Sequence, residues 1–65
     1  MKEESTMKQL IRAMHRKGAS EDLIVAILEV LETEENFLKM LEEVSRLKNP
    51  SETALLGKAM LIAEP

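Results

Sequence analysis

Apolar residues recur at helical spacing in four stretches of this chain, divided by three short polar breaks. In the first stretch Met7, Leu10, Ile11 and Met14 fall at i, i+3, i+4 and i+7, the stripe of an amphipathic helix. Lys8, Arg12, His15 and Arg16 lie on its opposite side and form a candidate basic face. The breaks are Gly18-Ala19-Ser20, Thr33-Glu34-Glu35 and Asn49-Pro50-Ser51. Ser20, Thr33 and Ser51 suit N-caps, because a side-chain oxygen there accepts from a backbone N–H that the first turn leaves without a partner. Gly18 and Asn49 suit the left-handed residue that closes a helix, and Pro50 pushes Asn49 out of helical geometry. The pattern therefore predicts helices over about 5–17, 21–32, 34–48 and 52–63. In the third, Phe37, Leu38, Leu41, Val44 and Leu47 are expected to face inward, with Met40 beside them as ordinary core. Its outer face carries Glu35, Lys39 and Glu43, plus Glu42 and Arg46, at spacings that stabilise an exposed helix by about 0.2–0.5 kcal/mol per pair.

The second and fourth helices break this amphipathic rule. On a helical wheel, Ala26, Val30, Leu23, Ile27, Leu31, Ile24 and Leu28 follow one another over about 200°, twice the stripe of an ordinary surface helix. Only Val25, Glu29 and Glu32 are left to face water. The economical arrangement makes 21–32 the central helix of an all-α bundle of four short helices, or two αα-hairpins, with the first helix on one flank and the third on the other. In the last helix, "ALLGKAMLIA", Lys58 is the sole charge. Leu55, Ala59 and Ile62 make one side, and Leu56, Met60 and Leu61 another. Gly57 costs about 1 kcal/mol relative to alanine in a helix interior and points to a close backbone approach or a kink. Two helices this broad favour association with a second copy (a dimer) or with another protein, with Val25, Leu56, Met60 and Leu61 as the candidate interface. The competing arrangement wedges the last helix between the first and the third.

Length sharpens that expectation. Sixty-five residues make one domain, 1–65, with residues 1–5 expected to fray. A domain of this size buries only about 60% of its unfolded surface, so small folds commonly need a staple. With no cysteine and His15 as the only histidine, neither disulfides nor a structural zinc site is available. No cofactor is expected, and helix packing and oligomerisation remain. The net charge of −3 disfavours a generally nucleic-acid-binding surface. No apolar run nears the roughly 18 residues of a membrane span, and the acidic start Met1-Lys2-Glu3-Glu4 lacks a signal-peptide core, so no membrane partner and a cytoplasmic location are expected.

The chemistry of catalysis is hard to assemble from these residues. Ser5, Thr6, Ser20, Thr33 and Ser51 fall at caps, and Ser45 and Thr53 have no base at helical spacing. The adjacent carboxylates Glu3-Glu4, Glu21-Asp22, Glu34-Glu35 and Glu42-Glu43 point in different directions on a helix. Three of these pairs lie at or just before helix starts, where they complement the dipole. With two glycines there is no phosphate-cradling loop. The chain is therefore expected to be a non-enzyme with no small-molecule substrate. The alternative to a protein-interaction module is a helix-turn-helix nucleic-acid regulator using the basic face of the first helix. Against it, the second helix opens with Ser20-Glu21-Asp22, two carboxylates where phosphates would sit. The charge contrast between the first two helices suits internal pairing better, with Lys8 or Arg12 near Glu29 or Glu32.

Over residues 7–47 the order helix, "KGAS", helix, "EEN-F-L", helix is similar in pattern to small three-helix UBA-like domains. The resemblance implies binding of ubiquitin or other protein partners through the first turn and the last helix. The family's Met-Gly-aromatic turn falls on Lys17-Gly18-Ala19, where only the glycine matches. The aromatic anchor is missing, so no functional residue carries over.

Overall fold

A computed structural model of the protein describes residues 5–64. Its four helices are α1 (Thr6–Arg16), α2 (Glu21–Leu31), α3 (Glu34–Arg46) and α4 (Glu52–Ala63). Each starts on a hydroxyl. The side-chain oxygens of Ser5, Ser20, Thr33 and Ser51 accept from the backbone N–H groups of Lys8, Leu23, Asn36 and Ala54 at 3.1–3.2 Å. Each such cap contributes about 1 kcal/mol. The expectation of a frayed start falls mostly on residues 1–4, which lie outside the described residues; Ser5, the first described, is itself a cap.

The helix ends are equally local. Gly18 takes φ +88°. Around it the Gly18 N–H donates to the His15 carbonyl at 3.0 Å and the Ala19 N–H to the Met14 carbonyl at 3.1 Å. That is the Schellman pattern, whose apolar contact here is supplied by Ala19 and Met14, both buried. Asn49 has φ 46° ahead of Pro50. α3 stops at Arg46, two residues short of the expected end. Leu47 is extended at φ −78°, ψ 140°, and its carbonyl accepts from Lys17 Nζ at 2.6 Å, a tie between the exits of α1 and α3 that a longer helix would break.

The α2–α3 link holds a feature with no signal in the sequence. Glu32 sits at φ 66°, ψ −42°, and the Thr33 N–H donates to the Leu31 carbonyl at 2.8 Å. This is a γ-turn of the rarer positive-φ kind, strained for a residue with a Cβ. Asn36 Nδ2 donates to the same Leu31 carbonyl at 2.8 Å, which pins the first turn of α3 to the end of α2 and holds the turn.

The heavier contacts join alternate helices. α1 packs mainly on α3, and α2 mainly on α4; α3 also meets α4, while α2 touches α1 and α3 only lightly. α2 does reach all three others, as a central helix would, but its main neighbour is α4 and not the expected flanks α1 and α3. α4 does not wedge between α1 and α3, for α1 and α4 do not meet. The core is Leu10, Met14, Ala19, Ile24, Ile27, Leu31, Met40, Val44, Leu55 and Ala59, with no polar or charged side chain buried among the described residues.

Leu38, Met7 and Ala26 depart from their expected places, Ala26 of the broad α2 arc being exposed. Met40 is fully buried, whereas Leu38 is 51% exposed. The stripe of α3 runs through Phe37, Met40, Leu41, Val44 and Leu47, and Leu38 lies more than about 100° from its centre. Met7, in the first turn of α1, overhangs the core and is exposed. The radius of gyration, 10.8 Å, equals the value of about 10.7 Å expected for one folded chain of this length. One copy thus closes its own core. Among the described residues no helix is long and apolar enough to cross a membrane.

Candidate interaction surfaces

α4 covers its neighbours with Leu55 and Ala59, which are buried, and with Leu56, Ile62 and Ala63, which are half-buried. Its opposite side presents Thr53, Ala54, Gly57, Met60 and Leu61, all exposed and none charged. Met60 is 57% and Leu61 64% exposed, the two highest values among the large apolar side chains described. Lys58 does not relieve this. Its ammonium reaches Glu43 of α3 at 3.3 Å, in a hollow at the α3 edge of the face that Leu61 also borders. The helix consequently has almost no polar side, unlike an ordinary surface helix.

Gly57 lies in the middle of that outer face. The helix runs through it unbroken, and a Cβ built there would meet nothing within 4 Å. The intrachain close approach that its presence suggested does not exist. Its helix-weakening cost of about 1 kcal/mol therefore has no return inside one copy.

Val25, 53% exposed, does not join Met60 and Leu61. It borders a hollow of about 210 Å³ between α1 and α2, lined also by Ile11, His15, Glu21, Ile24 and Leu28. A second hollow of about 290 Å³, lined by Lys8, Ile11, Arg12 and His15, shares Ile11 and His15 with it. Together they form a furrow with an apolar floor and a basic bank. Lys8, Arg12, His15 and Arg16 are all exposed on one side of α1, so the wheel placed the basic face where the structure has it. The four candidate interface residues split three ways: Met60 and Leu61 on the outer face of α4, Leu56 half-buried against the core, and Val25 at the furrow. Thr53 and Ala54 complete the α4 face. Their place on it was implicit in the helical spacing once the core-facing side of α4 is known.

The outer face of α3 is the electrostatic opposite of α4. Glu35 pairs with Lys39 at 3.8 Å, and Arg46 pairs with Glu43 at 3.7 Å in place of the expected Glu42. The one ion pair between helices described here, Lys58–Glu43, links α3 to α4. α1 and α2 meet too lightly for the charge contrast between them to be spent on pairing Lys8 with Glu29 or Glu32. Such exposed pairs contribute about 0–1 kcal/mol each, so they keep a face wet more than they hold the fold. No three His, Asp or Glu side chains among the described residues converge as metal ligands would. Comparison of the chain with protein-family models, with curated proteins and with solved structures gives no match.

Proposed function

We propose that this protein is a non-enzymatic interaction module that associates with further copies of itself through the outer face of α4. The observation that carries the reading is the uncharged outer side of that helix, with Met60 and Leu61 more than half exposed. Burying such side chains stabilises a complex by about 25 cal/mol per Å² of apolar surface. Gly57, which nothing in one copy requires, lets another backbone approach the middle of the face.

Size sets the strength. A standard interface takes about 800 Å² and 20–30 residues from each partner, and that area is roughly a sixth of this chain's 4737 Å² surface. The outer face of α4 offers five residues. The association is accordingly weak and concentration-dependent. Light scattering behind a sizing column, over a hundredfold range of concentration, tests it. The mass should rise above that of one chain, and Leu61→Asp should hold it at one chain while far-UV circular dichroism stays helical. A wild-type chain that remains monomeric throughout the range sinks the reading. Nucleic-acid binding through α1 is less well supported, because the exposed Glu21 and Asp22 occupy the first turn of α2, where a recognition helix meets phosphate.

A further inference from the structure

We infer that the surface receiving the outer face of α4 is the furrow between α1 and α2 of the next copy, so that copies join head-to-tail. The inference rests on the self-association proposed above and adds the identity of its second half.

Charge separates this arrangement from the alternative, two α4 helices facing each other. The two cations that border the outer face of α4 at Leu61, Lys58 and Lys39, are already paired within their own copy with Glu43 and Glu35. The ends of α4 carry Glu52 and Glu64, both exposed. A parallel α4–α4 contact would set Glu64 beside Glu64, and an antiparallel one would set Glu64 at the end of α4 that opens with Glu52, with no unpaired cation on either face. Neither arrangement gives Glu64 an ammonium or guanidinium to pair with. The furrow instead supplies Lys8, on a bank it shares with Arg12 and His15, beside an apolar floor made by Ile11, Ile24, Val25 and Leu28. Met60 or Leu61 seated on that floor brings Glu64, three residues from Leu61, towards Lys8. The carbonyl end of the helix dipole meets the same ammonium. Glu21 closes the other end of the furrow and so directs the α4 terminus towards Lys8. Glu52 lies eight residues before Met60, about 12 Å further up the helix, beyond the furrow.

Geometry makes the contact intermolecular. The furrow belongs to α1 and α2 and the face to α4, and α1 and α4 do not touch within a copy. The two halves are also different surfaces, so each added copy leaves one of each uncovered. Such a heterologous contact does not stop at two unless a ring closes.

A complementation experiment decides it. Val25→Asp disables the furrow and leaves α4 intact; Leu61→Asp does the reverse. Both positions are more than half exposed, so the core is spared, and Met60→Asp replaces Leu61→Asp if circular dichroism finds the latter unfolded. The wild type should continue to gain mass beyond two chains with concentration. Each variant alone should stay at one chain, and an equimolar mixture should form a species of two chains and no larger. In the same assay Lys8→Glu should weaken association about tenfold, and adding Glu64→Lys should restore it. If Leu61→Asp is monomeric while Val25→Asp still associates, self-association stands and the furrow is overturned. If both are monomeric and their mixture stays monomeric, the pairing of the two surfaces is overturned. A wild type that never associates removes both this inference and the function it rests on.

Discussion

α1 and α3, each apolar along one stripe and charged on the back, pack on each other. α2 and α4, each apolar around most of the circumference, form the other main contact. The difference teaches how to weigh apolar breadth. A helix apolar on two sides demands cover on two sides, and read alone α2 calls for another molecule. Its breadth is met largely by α4, the other helix with the same surplus. What remains uncovered once the pairs have formed is smaller and better located: Met60 and Leu61 on α4, Val25 at the furrow, and the stray Leu38 and Met7.

Core truncations test whether the two pairs are equal partners. Leu10→Ala in α1 and Leu55→Ala in α4 each empty a site at most 1% exposed, and each should destabilise by about 2–5 kcal/mol in urea titration. Domains hold only about 0.05–0.15 kcal/mol per residue, so the upper end of that range removes half or more of the stability of a chain of 65 residues. A small loss at Leu10 beside a large one at Leu55 would make the α1/α3 pair an appendage of the α2/α4 pair.

Two backbone substitutions on the broad pair should have intermediate effects and the opposite sign. Glu32→Gly relieves the positive φ at the exit of α2 and should stabilise by about 1 kcal/mol net. Gly57→Ala adds a Cβ to open space on α4 and should stabilise the single copy by about 1 kcal/mol. Thermal melts at a concentration too low for association read both. A loss of stability at either position would mean that the local backbone is constrained by something other than the helix and turn described.

The smallest stability effect discriminates most sharply between faces. Leu38→Asp and Leu61→Asp both alter a leucine more than half exposed, and each should change stability by less than about 0.5 kcal/mol. Leu38 stands on the charged face of α3, whereas Leu61, though it borders the α3 charges on one side, belongs to the face of α4 formed by uncharged residues. Only the second should abolish the concentration-dependent rise in mass. Equal loss from both would show that the uncharged face is not what matters.

The sequence was most legible where the physics is local. Ser20, Thr33 and Ser51 cap the helices they were expected to cap, and Gly18 and Asn49 take the positive φ that their positions suggested, because each decision involves atoms a few residues apart. Partner choice was not legible. Nothing along α2 distinguishes a flank meant for α4 from one meant for α1, so the alternate pairing came only with the structure. The end of α3 was misplaced because it is fixed by Lys17, thirty residues away. The strained turn at Glu32 was invisible because the residue that holds it, Asn36, works through a side-chain bond to a carbonyl in the preceding helix. At the surface, the basic side of α1 followed from helical spacing alone. The separation of Val25 from Met60 and Leu61 depended on which helices lie side by side.

The alternate pairing also constrains how this protein comes into being. As a chain emerges from its N-terminal end, α2 is made long before the helix that is to cover it. Its apolar arc stays wet through the making of all of α3 and most of α4. Cut between α2 and α3, the chain yields two fragments, each deprived of the main partner of both its helices. Neither half is a unit that duplication or swapping could pass on already folded. The fold is acquired all at once and late, and the interval before α4 arrives is when unintended association is most readily begun.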